Sequence, residues 1–137
     1  MAATDDELRL LLLKVARRIR NNRGDENISD SQLTVLFQLD EHGERTPSQL
    51  AEYERLTPPS MNRTLNGLED AGLIARTRST DDARRVLVTL TPAGKALITE
   101  TRRLRTAWFS RQLSELSPDE RALFETAVPI LRKIAES

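Results

Sequence analysis

The chain has 137 residues, 38% of them hydrophobic, which is the length of one domain with apolar side chains enough for a core. Charged residues at 31% and aromatics at 4% suit a helix-rich protein rather than a β-sandwich, and the lack of cysteine excludes a disulfide framework and thiol-based sensing of oxidants. The formal net charge is zero, so any nucleic-acid partner must be met by a local basic patch.

No run of about 18 apolar residues occurs, so no membrane span is expected. The start, Met1-Ala2-Ala3-Thr4-Asp5-Asp6-Glu7, is acidic where a secretory signal is basic, and a cytoplasmic location is the default expectation. Leu8, Leu11, Leu12, Val15, Ala16 and Ile19 recur at helical steps and predict an amphipathic first helix to about Asn22. Asn21 to Asn27 contains Gly24 and no apolar residue, which reads as a loop. Ser29 or Asp30 can cap a second helix that buries Leu33, Leu36, Phe37 and Leu39 and ends at His42-Gly43.

Thr46-Pro47-Ser48-Gln49 is a capping box with proline at the first helical position. The short third helix it opens is expected to bury Leu50, Ala51 and Tyr53. Thr57-Pro58 opens a fourth, whose wheel puts Met61, Leu65 and Leu68 on one face, with Pro59, Asn62, Arg63 and Asn66 opposite and Ser60 at the edge. Gly72 suits a left-handed stop for that helix. Leu73–Arg78 and Val86–Leu90 alternate with period two, as paired strands do. Thr91-Pro92 opens a long helix through Trp108 and Phe109. Ser117-Pro118-Asp119-Glu120 starts the last helix, which holds Pro129 in its interior.

Helix, turn, helix and then an arginine-bearing hairpin is an arrangement that offers one helix to a DNA major groove and a tip to the minor groove beside it. Between Ile74 and Thr91 the charges are Arg76, Arg78, Arg84 and Arg85 against Asp81 and Asp82, a modest local basic bias. An arginine at position 63 can pair with guanine, and Asn62 or Asn66 with adenine, each good pair giving about 1–3 kcal/mol of discrimination. The same residues also suit the solvated face of an ordinary amphipathic helix, and the tip an ordinary charged turn.

The stretches Gln49-Leu50-Ala51-Glu52, Leu68-Glu69-Asp70-Ala71-Gly72-Leu73-Ile74-Ala75-Arg76 and Asp82-Ala83-Arg84-Arg85-Val86-Leu87-Val88-Thr89-Leu90-Thr91-Pro92-Ala93-Gly94 closely resemble the MarR family of bacterial transcription regulators. The most specific part is the Asp-x-Arg tip followed by an apolar strand and Leu-Thr-x-x-Gly. The resemblance covers nearly the whole chain and implies a single domain over residues 1–137. Its fold would be mainly α with a small β-hairpin: a winged helix-turn-helix lobe over 29–94, and a helical dimerisation region over 1–22 and 95–137. It implies a homodimer joined through the first, fifth and sixth helices, and a repressor seated on a palindrome in double-stranded DNA. A small ligand, aromatic for many members of the family, would release it. Pro59, Ser60, Asn62, Arg63 and Asn66 would form the recognition surface, Asp82 would orient the wing residue Arg84, and Arg85 would meet a phosphate. Thr46, Arg76 and Arg78 would support backbone contacts, although Arg76 and Arg78 equally suit a charged strand edge that keeps the hairpin soluble. Trp108, Phe109, Leu113 and Phe124 suit either a ligand pocket or dimer core.

One departure stands out. Many relatives have an apolar residue and then glycine between the third and fourth helices, where this chain has Glu54 and Arg55. Arg55 must take a positive φ there, or the turn must adopt another geometry. With one histidine (His42) and no cysteine, neither a zinc site nor a Ser-His or Cys-His centre is expected, and no cofactor is implied. No phosphate-binding glycine loop occurs either, so an enzyme is not expected. The alternative to a DNA-binding regulator is a winged-helix protein-interaction module that does not bind DNA.

Overall fold

The computed structural model describes residues 2–24 and 27–137. In chain order its elements are α1 (Asp5–Arg20), α2 (Asp30–His42), α3 (Pro47–Glu54), α4 (Pro58–Asp70), β1 (Ile74–Arg78), β2 (Val86–Leu90), α5 (Pro92–Ser114) and α6 (Pro118–Ala135). This is the mainly helical fold with one hairpin that the sequence predicts. Met1 of the acidic start, and Asp25 and Glu26 of the expected loop, lie outside the described residues.

Helices begin where a side chain takes over an orphan amide. Ser29, Thr46 and Ser117 form reciprocal boxes with Gln32, Gln49 and Glu120. Thr4 and Thr57 accept from the N–H groups of Glu7 and Ser60. Thr91 has a wider reach. Its hydroxyl accepts from the Gly94 N–H at 3.1 Å and donates to the Gly72 carbonyl at 2.6 Å, while its own N–H donates to the Leu73 carbonyl at 3.2 Å. The start of α5 is thereby tied to the exit of α4. Gly94 permits that approach, because a Cβ there would overlap the Leu73 carbonyl oxygen. Leu90-Thr91-Pro92-Ala93-Gly94 is thus a packing motif with a physical cause.

The α3–α4 turn takes the first of the two geometries open to it. Arg55 sits at φ 55°, ψ 40°, in the left-handed region. Its N–H donates to the Glu52 carbonyl at 3.2 Å and the Leu56 N–H to the Ala51 carbonyl at 2.9 Å, the paired bonds of a Schellman stop. The end of α4 repeats this motif with glycine in the slot. There Gly72, at φ 75°, donates to Glu69 at 2.9 Å, and Leu73 donates to Leu68 at 3.0 Å.

The hairpin pairs Ile74 with Leu90 through to Arg78 with Val86. On the other side of β2, Arg45 and Val88 exchange both backbone bonds, at 3.1 and 2.7 Å, so a single residue serves as a third strand. The core comprises Ile28, Leu33, Val35, Leu36, Leu39, Leu50, Ala51, Met61, Leu65, Leu68, Leu73, Ile74, Val88 and Ile98. Two expectations need correction. Tyr53 is 61% exposed and its ring meets that of His42 at 6.0 Å between centroids, because α3 buries only Leu50 and Ala51. On α2, Val35 and Gln38 are buried while Phe37 is half-buried, so the helix is covered over more of its circumference than one apolar stripe suggests.

Two compact units compose the chain, one of Arg23–Arg102 and one of Met1–Asn22 with Arg103–Ser137. The first is wider at both ends than the 29–94 lobe and contains the whole core. Within it Asp40, on α2, accepts hydrogen bonds from Lys95 and from Arg102, the latter at 3.0 Å, and the Arg102 guanidinium lies 5.5 Å from the centre of the Phe37 ring. In the second unit no described residue is buried. Leu12 is 53% exposed and Ile134 64%. No helix among the described residues is long and apolar enough to cross a membrane.

Candidate nucleic-acid interface

Met61, Leu65 and Leu68 turn one face of α4 into the core, each worth roughly 1.5–3 kcal/mol by burial. That anchorage leaves Pro58, Pro59, Asn62, Arg63 and Asn66 exposed and Ser60 half-buried. The polar face is internally braced. Thr57 Oγ1 donates to Ser60 Oγ at 3.0 Å, and Arg63 Nη2 donates to the same oxygen at 3.2 Å. Holding the guanidinium against a fixed hydroxyl reduces the rotamer entropy that a contact would otherwise cost.

The first turn of α4 lacks the usual donors of a helix N-terminus. Pro58 and Pro59 have no N–H, the Ser60 N–H donates to Thr57 Oγ1 at 3.3 Å, and the Met61 N–H donates to the Thr57 carbonyl at 2.9 Å. Any anion met at this end is met by side chains.

Beyond α4, Arg76 on β1 donates to Asn66 Oδ1 and lies 3.4 Å from Glu69 Oε1, with only 21% of its side chain exposed. Arg78 Nη1 donates to the Ala83 carbonyl at 3.2 Å, tying the end of β1 to the wing tip. Thr46 is occupied as the cap of α3, its hydroxyl accepting from Gln49 and its N–H donating to the Gln49 side chain.

The wing tip is a closed turn. Ser79 Oγ accepts from the N–H groups of Asp81 and Asp82, Ser79 N–H donates to the Arg85 carbonyl at 2.8 Å, and Arg85 N–H donates to the Asp82 carbonyl at 2.9 Å. Asp82 Oδ1 accepts from the Arg84 backbone N–H at 3.0 Å and stands 3.5 Å from Arg84 Nε. The Arg84 side chain is 94% exposed, so this ion pair contributes about 0–1 kcal/mol and leaves the guanidinium free to leave Asp82 for a partner. The backbone bond of Asp82 is what shapes the loop.

Two acids have shifted proton affinities. Hydrogen bonds from Lys95 and then Arg102 hold the Asp40 carboxyl below its ordinary value, against the effect of burial. Burial pushes Glu54, beside the left-handed Arg55, above its ordinary value, and its Oε1 has no partner among the described residues. No cluster of metal-ligating side chains occurs among the described residues.

Trp108, Phe109, Leu113 and Phe124 come together with Val15 and Arg18 around a cleft of about 380 Å³ in the second unit. The Arg18 guanidinium lies 5.1 Å from the centre of the Trp108 ring. A neighbouring apolar cleft of about 390 Å³ includes Leu12, Ile19, Phe109 and Leu131. Sequence reasoning missed the Arg45 bridge and the roles of Thr57, Glu69 and Arg76 as braces. The Arg45 bridge and the Arg76 contacts join residues through folded geometry that local pattern does not carry, whereas Thr57 braces Ser60 three residues on.

Comparison with known proteins agrees with this geometry. The MarR family model matches residues 28–86, which span α2 to the start of β2. An uncharacterized HTH-type transcriptional regulator of Mycobacterium leprae is 33% identical over 130 residues, 95% of this chain and 91% of that protein. The HTH-type transcriptional repressor MdtR of Bacillus subtilis is 31% identical over 113 residues, 82% of this chain and 73% of its own length. A MepR variant of Staphylococcus aureus, solved bound to an oligodeoxyribonucleotide, shares the fold at a TM-score of 0.73 and 21% identity, covering 98% of this chain and 99% of that one. With that family match and identity across nearly its full length, the chain belongs to the MarR family and is a transcriptional regulator of that type.

Proposed function

We propose that the protein is a homodimeric repressor that seats α4 of each subunit in successive major grooves of a palindromic operator, with Arg84 reaching the adjacent minor groove. The observation that carries the DNA contact is the 94% exposed Arg84 on a closed, hydrogen-bonded tip in the same compact unit as the braced polar face of α4. A guanidinium so placed meets the enhanced negative potential of a narrow minor groove. The MdtR relative is a repressor, and the MepR neighbour has been captured on DNA. Dimerisation is supported by the second unit, where apolar side chains of α1 and α6 stand open with nothing buried beneath them. A surface of that kind calls for a partner, most simply a second copy. The apolar clefts beside Phe109 and Phe124 are of a size to take a small aromatic inducer.

The test is selection of bound sequences from a random duplex pool, followed by fluorescence titration of the winner. Half-site centres should lie about 34–36 Å apart. Affinity should fall steeply with salt. Arg63→Ala should relax sequence preference, whereas Arg84→Ala should weaken binding with less effect on base choice. A chain that is monomeric at working concentrations, or that retrieves no duplex at low salt, refutes the reading.

A further inference from the structure

Arg76, on β1, donates a hydrogen bond to the side-chain oxygen of Asn66 on α4. Its guanidinium has donors only, so the atom of Asn66 facing it must be the carbonyl oxygen; the opposite flip would set two donors against each other. Arg76 is itself held, with 21% of its side chain exposed and Glu69 Oε1 at 3.4 Å. Asn66 is exposed, and its NH₂ has no partner among the described residues. The side chain therefore offers its hydrogens outward, while its oxygen is turned to Arg76 and has one lone pair engaged there. Reading adenine with both ends of an asparagine amide needs the acceptor as well as the donor, because adenine presents N7 beside the N6 amino group. Guanine presents two adjacent acceptors, N7 and O6, thymine a single acceptor, O4, beside its methyl group, and cytosine a donor alone.

We infer that Arg76 is a positioning residue that converts Asn66 from an adenine reader into a donor contact favouring guanine over adenine. The inference rests on the DNA-binding reading above and adds a base preference to it. It replaces the adenine pairing that the sequence suggests for this residue, and leaves Asn62 untouched.

The experiment is selection from a random duplex pool by the full chain and four variants, each first checked for helix content and cooperative melting. Asn66→Ala identifies the operator position read by residue 66 as the one whose preference flattens. At that position the parent should enrich guanine over adenine by about 2- to 12-fold, the range of one net hydrogen bond. Arg76→Ala, which frees the Asn66 oxygen, should raise adenine relative to guanine, and Arg76→Lys, which keeps a donor on that oxygen, should preserve guanine. Should Arg76→Ala not fold, Asn66→Asp decides the matter. It keeps and strengthens the link to Arg76 but has no hydrogen to give, so a merely structural role would leave the base preference intact and the proposed role would abolish it. The inference is overturned if no position flattens in Asn66→Ala, if the parent enriches adenine there, if Arg76→Ala leaves the ratio unchanged, or if Asn66→Asp retains guanine. A parent that retrieves no sequence at all instead refutes DNA binding, an outcome distinct from each of these.

Discussion

Replacing Arg55 by glycine should stabilise this protein. Arg55 is a side-chain-bearing residue at φ 55°, where crowding between its Cβ and the following carbonyl costs about 1–2 kcal/mol. Glycine removes that cost but gives the unfolded chain more freedom, a loss of about 0.4–1 kcal/mol. The net gain is then about 0–1.6 kcal/mol, centred near 0.8, and a gain of that central size raises the melting temperature of a chain of this length by roughly 2–4 °C. The Arg55 side chain is exposed and makes no ion pair or hydrogen bond among the described residues, so little else is lost. Arg55→Ala supplies the control, since it removes the guanidinium and keeps the Cβ. The difference between the glycine and alanine variants isolates the backbone effect. Thermal melts must be run at one protein concentration, because association raises the apparent stability of any dimer. If Arg55→Gly melts at or below Arg55→Ala, the left-handed backbone is not the source of strain and the reasoning fails.

Three further outcomes follow from named contacts. Gly94→Ala should lower the melting temperature, with an overpacking cost of about 1–3 kcal/mol, because its Cβ meets the Leu73 carbonyl rather than a side chain able to move aside. An unchanged melt would refute the close approach. Glu54→Gln should stabilise the chain at neutral pH, since burial has raised the folded-state pKa. Glutamate's relative stability is full below its unfolded pKa and lost as pH rises through the folded one, so the advantage of glutamine should vanish on acidification. Asp40→Asn should behave oppositely, because the Lys95 and Arg102 bonds depress that folded pKa. The destabilisation should be complete above the ordinary carboxylate range and disappear as pH falls through the depressed value, as read from melts across an acid series.

Much of the fold was legible because its punctuation is local. Thr46-Pro47-Ser48-Gln49 and Ser117-Pro118-Asp119-Glu120 encode their helix starts within four residues, and the alternation of Val86–Leu90 encodes a strand. Gly72 was readable as a left-handed stop for the same reason, whereas at Arg55 the sequence left a positive φ and another turn geometry both open. What escaped depends on partners distant in sequence. Tyr53 has an apolar ring at a plausible helical position, yet α3 turns it outward beside His42. Val35 and Gln38 are buried because neighbouring elements cover more of α2 than its apolar stripe. In the candidate site, the faces of α4 followed from its wheel. The hydrogen bond from Arg76 that fixes the Asn66 amide spans ten residues and two elements, and no spacing rule reports it.

The paired prolines at the start of α4 have a consequence for how such a lobe would register a duplex. Its leading turn carries just two amide protons where four are usual, and both already point back at Thr57. In a nitrogen-labelled sample titrated with DNA, the backbone signals of Ser60 and Met61 should therefore hold nearly still. The side-chain signals of Asn62, Arg63 and Asn66 should be the ones that travel.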